Sequence, residues 1–214
     1  MGLTKKEIEF VINEIDTLYP DAQCELDFTN PFELLIATIL SAQCTDVRVN
    51  IVTKDLFEIC KTPWDIVKLG VVELGIMIKT CGLSNSKSKN IFNCCRMLIE
   101  EHEGEIPDTI EALMKLPGVG RKTANVVVSN AFGVPAIAVD THVFRVANRI
   151  GLAEAGNVDL TEKQLMKVLP KEIWVQMHHA LIFHGRRMCK ARKPLCEECP
   201  LDKICRFLKD REVK

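Results

Sequence analysis

Four cysteines crowd the C-terminal end of this chain in the spacing Cys189-x6-Cys196-x2-Cys199-x5-Cys205. Thiolates are soft ligands, and four of them in so short a stretch suit a tetrahedral metal ion or an iron–sulfur cluster. Only one pair has the two-residue gap of a zinc knuckle, and the spacing by itself leaves zinc and a cluster open. A reducing compartment disfavours disulfides. The chain has ten cysteines, and Cys24, Cys44, Cys60, Cys81, Cys94 and Cys95 are scattered through apolar or helical stretches. Those six are expected as small buried hydrophobes.

A second constellation is Leu116-Pro117-Gly118-Val119-Gly120-Arg121-Lys122-Thr123-Ala124. Pro117 stops one helix near Leu116, Gly118 and Gly120 permit a tight turn at positive φ, and a second helix starts near Arg121. Amides at such a helix N-terminus hold a phosphate without reading sequence, the geometry of a helix-hairpin-helix. Gly118, Val119, Gly120 and Arg121 are therefore candidate DNA contacts. Lys122 falls in the first turn, where the positive end of the helix disfavours an ammonium. A free amine there is a nucleophile suited to Schiff-base chemistry, and a further phosphate contact is the equal alternative. Eighteen residues on, Asp140 follows the apolar run Ala136-Ile137-Ala138-Val139. It can cap the helix that continues to Ile150 and also assist a nearby amine, roles that do not conflict.

The elements that must position these groups are helical. Asn30-Pro31-Phe32-Glu33 and Thr62-Pro63-Trp64-Asp65 each offer a cap, a proline at the first helical position and an acid three residues in. Asp108-Thr109-Ile110-Glu111 and Thr161-Glu162-Lys163-Gln164 repeat the capping-box pattern. Gly82, Gly104, Gly120 and Gly151 fall where helices end or turn. Strand signals are nearly absent, so the expected class is all-α. No linker rich in Gly, Ser or Pro divides the chain, and Val134-Pro135 is the expected crossing between two lobes.

The 214 residues are 47% apolar and 27% charged with 6% aromatic, the balance of a globular chain with an aliphatic core. Disorder and low complexity are excluded. The longest apolar stretches, 34–40 and 126–139, are too short or too broken to cross a bilayer. With an N-terminus that turns acidic where a signal peptide would turn apolar, a cytoplasmic protein is expected. Net charge is −1 but unevenly spread. Residues 1–30 carry two lysines against seven acids, and residues 181–214 carry ten basic residues against five acids. Such a dipole can present one basic face to a polyanion. His178, His179 and His184 are expected in core or cap roles on a buried helix, His142 as a support beside Asp140, and Trp64, Trp174 and Tyr19 in the core.

The hairpin at 118–125 and Val139-Asp140-Thr141-His142, with Leu40-Ser41-Ala42-Gln43-Cys44-Thr45-Asp46, Gly82-Leu83-Ser84-Asn85-Ser86-Lys87 and the cysteine cluster, resemble the bacterial endonuclease III family. These are DNA glycosylases and AP lyases of the helix-hairpin-helix superfamily. The resemblance implies that Lys122 is the nucleophile, Asp140 the catalytic carboxylate, and a 4Fe–4S cluster the group on the four cysteines. It implies that a damaged pyrimidine in double-stranded DNA is flipped into a cleft between the lobes. Gln43 would fill the gap left by the flipped nucleotide, and Leu83 would wedge the opposite strand. The cluster would be architectural, pinning a loop whose Lys190, Arg192 and Lys193 face phosphates. Related adenine glycosylases lack lysine at the position of Lys122 and carry an added C-terminal domain. Cys44, where alanine is common, and the Met114-Lys115 pair depart from the family pattern.

The architecture so implied has one helical-bundle lobe at 24–134, with the hairpin at about 109–131. The other, an iron–sulfur lobe, is made of 1–23 with 135–214. The competing functions are a non-catalytic DNA-binding module with a structural metal and a monofunctional glycosylase that leaves the abasic site uncut. A monomer satisfies every motif.

Overall fold

The computed structural model describes residues 3–212. In chain order its α-helices are α1 (Lys5–Leu18), α2 (Pro31–Leu40), α3 (Asp46–Ile59), α4 (Pro63–Leu69), α5 (Val71–Met77), α6 (Ser84–His102), α7 (Ile110–Leu113), α8 (Arg121–Phe132), α9 (Thr141–Ile150), α10 (Val158–Val168), α11 (Trp174–Arg187) and α12 (Arg206–Glu212). Single 3-10 turns occupy Lys79–Cys81, Lys171–Ile173 and Cys196–Glu198, and no strand occurs among the described residues. The chain is all-α. None of these helices is long and apolar enough to cross a membrane.

The chain divides into two compact units, one formed by Glu25–Val134 and the other by Met1–Cys24 with Pro135–Lys214. In the contiguous unit α2 is central. Its residues 32 and 34–40 are all buried, so it is apolar all round, as a core helix must be. It packs on α3, α6 and α8, while α4 and α5 lie against α6. Asn30 caps α2 through Glu33 N at 3.0 Å, and Thr62 and Asp65 close a reciprocal capping box on α4, as their sequences require. Trp64 departs from expectation: half of it is exposed, because the indole lies on the surface over Gly104, whose missing side chain makes room for the ring.

In the unit made from both ends, α9 shows the cleanest amphipathic pattern. It buries Val143, Val146, Ala147 and Ile150 at helical spacing. These join Val11 and Ile15 of α1 and Met177, Ala180 and Leu181 of α11 in one core. The capping box expected at Thr161 is displaced. Asn157 caps α10 through Leu160 N, and Thr161 lies buried inside the helix with its hydroxyl donating back to Asn157 O at 2.9 Å. Likewise Thr109, one residue after Asp108, caps α7 by accepting from Ala112 N.

Candidate functional site

The hairpin is built as its sequence demands, with one exception. Leu116 and Val119 are 2% and 7% exposed, and Val119 N donates to Leu116 O at 3.1 Å, so the turn is anchored by its two apolar residues. Gly118 has φ +81°, and a Cβ there would stand 2.9 Å from Cβ of Asn90. Gly118→Ala is therefore expected to cost about 1–3 kcal/mol, the scale of a strained left-handed residue, and to lower the midpoint of thermal unfolding. The exception is Gly120, which was expected at positive φ and instead has φ −93° and ψ 178°, extended backbone open to any residue. Its use is space: it caps α8 without a side chain, and nothing lies within 4 Å of the position a Cβ would take. An anion can approach the α8 N-terminus over it.

Arg121 and Lys122 open α8 in this unit, both exposed. Asp140 belongs to the other unit, where it is half-buried and caps α9. One oxygen, Oδ1, accepts from both His142 N and Val143 N at 2.8 Å. The carboxylate is thus fixed in orientation by backbone amides through a single oxygen. Behind it, Arg145 holds His142 Nδ1 at 3.2 Å and donates to Gly185 O at 2.8 Å. Burial holds the His142 ring below its ordinary pKa, so the ring is neutral at pH 7.

Gln43 and Leu83 are exposed and lie in the left-handed region at φ 54° and 51°, as do Glu103 and Lys193 at 53° and 51°. Leu83, 56% exposed, follows Gly82 at φ 71°. Gln43 does not end a helix; α2 stops at Leu40 and a turn intervenes. What holds both loops is Lys87, 4% exposed, whose Nζ donates to Leu40 O at 2.8 Å and to Cys81 O at 2.9 Å. The ammonium sits where two helical segments end, the favourable pole for a cation.

At the C-terminal end, Cys189, Cys196, Cys199 and Cys205 are all half-buried and line one cavity with Ile150, Met188, Leu195, Leu201 and Leu208. Among the described residues no three His, Cys, Asp or Glu side chains converge as ligands of a single metal ion. Four thiols lining one cavity suit an iron–sulfur cluster. Burial, with the neighbouring thiols adding to it, pushes the Cys199 thiol up to about 11. Cys205 is raised in the same way. Buried thiols that oppose one another's ionisation call for a cationic group among them. The residues fit an iron–sulfur cluster.

Around this cavity the loop is riveted by arginines. Arg149 donates to Lys190 O at 2.8 Å and Ala191 O at 3.1 Å, lies 3.7 Å from Cys189 Sγ and covers the Phe207 ring at 4.5 Å. Arg145 Nε donates to Cys189 O at 3.1 Å. His184, 1% exposed, spans from the Tyr19 hydroxyl at 3.2 Å to Cys199 Sγ at 3.8 Å. Burial lowers its pKa to about 4, leaving a neutral ring with one N–H to give. The fixed loop holds Lys190, Arg192 and Lys193 exposed. Arg145 and Arg149 carry no motif signal, since a lone Arg in a helix reads as surface; Lys87 closes the 82–87 motif, which gives it no role of its own.

Residues 36–171 match the HhH-GPD superfamily base excision DNA repair protein family, and residues 189–205 match the iron–sulfur binding domain of endonuclease III. The chain is 53% identical over 213 residues to endonuclease III of Bacillus subtilis, covering 99% of this chain and 97% of that one. It is 53% identical over 188 residues to endonuclease III of Escherichia coli, 88% of this chain and 89% of that one. Among solved structures, a non-covalent endonuclease III–DNA complex superposes with a TM-score of 0.94 at 54% identity, over 99% of this chain and 100% of that one. A trapped endonuclease III–DNA covalent intermediate gives 0.93 at 54%, over 98% and 99%. On these grounds the chain belongs to the endonuclease III family of helix-hairpin-helix base excision repair enzymes, DNA glycosylases and AP lyases that carry an iron–sulfur domain.

Proposed function

We propose that this chain excises oxidised pyrimidines from double-stranded DNA through Lys122 and then cuts the abasic site, working as a cytoplasmic monomer. The observation that supports it most directly is Lys122 exposed on the first turn of α8, immediately after a hairpin whose N-terminus no side chain caps. The hairpin amides hold a backbone phosphate, with Gly118, Val119, Gly120 and Arg121 as contacts, and place the neighbouring sugar within reach of Lys122. Lys122 Nζ attacks C1′ as the base departs with the bond electrons, and the resulting amine opens the sugar to a protein–DNA imine. Loss of a C2′ proton then expels the 3′ phosphate, and water hydrolyses the imine. Asp140 takes up the proton that Lys122 sheds and opposes the positive charge on the sugar. Gln43 fills the space vacated by the extruded nucleotide, and Leu83 wedges the opposite strand.

Cys189, Cys196, Cys199 and Cys205 would hold a 4Fe–4S cluster, whose cationic iron would balance four half-buried thiolates. The chain's own residues do the rest there. Arg145 and Arg149 fix the loop that aims Lys190, Arg192 and Lys193 at phosphates.

The test is borohydride trapping on a duplex with one thymine glycol. A covalent protein–DNA complex is expected. Tight binding with no trapped complex would overturn the lyase reading in favour of a monofunctional glycosylase or a binding module. Asp140 separates into its two roles by substitution. Asp140→Asn keeps an Oδ1 cap acceptor and is expected to keep the unfolding midpoint within a few degrees while base excision slows about 10²–10⁴-fold, the scale of general acid–base catalysis. Asp140→Ala loses the cap as well, at about 1 kcal/mol of stability. Equal activity of Asp140→Asn and wild type would remove the carboxylate from catalysis.

A further inference from the structure

Lys87 lies in the first turn of α6 and is bonded to two turns of the chain at once. On one side its backbone N–H donates to Leu83 O and its Nζ to Cys81 O, both at 2.9 Å. On the other, Nζ donates at 2.8 Å to the carbonyl of Leu40, the last residue of α2, which lies 47 residues away in sequence. Leu40 is fully buried and Cys81 is 2% exposed, so both acceptors are themselves fixed. From Leu40 to Gln43 the chain is a tight turn. Ser41 N–H donates to Ala37 O, Ser41 Oγ to Thr38 O and Cys44 N–H to Ser41 O. What holds Leu40 O therefore holds Gln43. Both acceptors of the ammonium are neutral carbonyls, and burying a cation on such partners alone is expensive. A methionine of the same length would fill the space without that cost, and would join neither turn.

We propose that Lys87 is a positioning residue for nucleotide extrusion: its ammonium sets the spacing between the Gln43 turn and the Leu83 turn, so that gap-filler and wedge enter the duplex as one rigid unit. The inference deepens the reading of Gln43 and Leu83 above and rests on it. Opening a duplex means unstacking and unpairing a base before any bond is made or broken. A wedge does that work only if its own backbone yields less than the base stack does. Bonds from an ammonium to carbonyls are charge-assisted and stronger than neutral ones, and here one cation draws two turns onto a single point. Lys87 itself is 4% exposed and presents no surface to DNA. Its influence therefore falls on extrusion and not on the imine chemistry of Lys122. The signature of such a residue is a dependence on how firmly the lesion is paired. A lesion already out of the stack has no need of the clamp.

The test compares single-turnover nicking by the wild-type and Lys87→Met holoenzymes on two duplexes. One carries thymine glycol opposite adenine, the other the same lesion as a one-nucleotide bulge with no partner. Lys87→Met is expected to be slower by about 10- to 100-fold on the paired lesion, the scale of a group displaced within a site, and to stay within about threefold of wild type on the bulge. A 2-aminopurine beside the paired lesion should brighten when wild type binds and brighten less with saturating Lys87→Met. Equal slowing on both duplexes means that the ammonium serves only the fold, and overturns the proposal. So does wild-type behaviour on both. If Lys87→Met does not fold, Lys87→Gln, with a donor one bond shorter, is expected to show the same split; failure of both to fold also overturns the proposal. Gln43→Ala and Leu83→Ala should share the split. If they do and Lys87→Met does not, the clamp alone is refuted. If Lys87→Met shows it and they do not, the reading of the two loops is what fails.

Discussion

Lys122→Ala is expected to fold as wild type does, to give no borohydride-trapped complex, and to lose base excision and strand cutting by on the order of 10³-fold or more, as removal of a covalent nucleophile does. The fold is spared because Lys122 is exposed and alanine is the best helix former. Binding is largely spared too. A stable abasic analogue should bind within about fivefold, since one amine is lost from a contact shared with hairpin amides and the loop of Lys190, Arg192 and Lys193. Arg121→Ala makes the contrast. It should weaken binding to damaged and undamaged duplex alike and flatten the salt dependence, with trapping at saturating protein intact. Equal trapping by Lys122→Ala and wild type would show that another amine reacts.

The second large effect is structural. Cys199→Ala is expected to lose the visible absorbance of the cluster and several kcal/mol of stability, because metal binding free energy in such sites is folding free energy. For a chain of this size that is roughly 10 °C or more in the unfolding midpoint. The reason lies in what holds 188–205 together. That segment has a single 3-10 turn at Cys196–Glu198, and Leu201 is its one fully buried residue. Arg145 and Arg149 bind its carbonyls, but carbonyls alone do not give it an apolar core. Trypsin should therefore cut the variant first after Lys190 and Arg192. A variant with the wild-type midpoint and cleavage pattern would show that the loop stands without its cluster.

How far these features were legible differs by physical cause. The caps at Asn30 and Thr62 are local, a polar side chain, a proline and an acid within four residues, and the helices start there. Thr161 satisfies the same pattern but is buried, and a buried hydroxyl bonds back along its own helix, so Asn157 takes the cap. Gly118 has a positive φ in the turn and, besides, no room for a Cβ against Asn90, a residue distant in sequence. The Gly-x-Gly spacing hid the difference between that glycine and Gly120. Gln43 and Leu83 were named through family resemblance alone, since left-handed strain at a non-glycine residue has no residue-type signature. The role of Lys87 was not legible, although the residue closes a family motif. A lysine in Ser84-Asn85-Ser86-Lys87 reads as solvated until the carbonyls of Leu40 and Cys81 are seen to close on it. The cysteine cluster was legible because ligands to one group must be close in space, and here they are also close in sequence.

The hydrogen bond from the Tyr19 hydroxyl to His184 closes a separation of 165 residues. On a ribosome adding about 5–20 residues per second, α1 emerges roughly 10–30 s before α11 exists to cover Val11 and Ile15. The segment Glu25–Val134 has all its contacts available earlier and can settle while synthesis continues. A nascent chain of this protein thus carries α1 with its apolar face uncovered for most of its translation, and that face is where a nascent-chain chaperone has something to hold until α11 arrives.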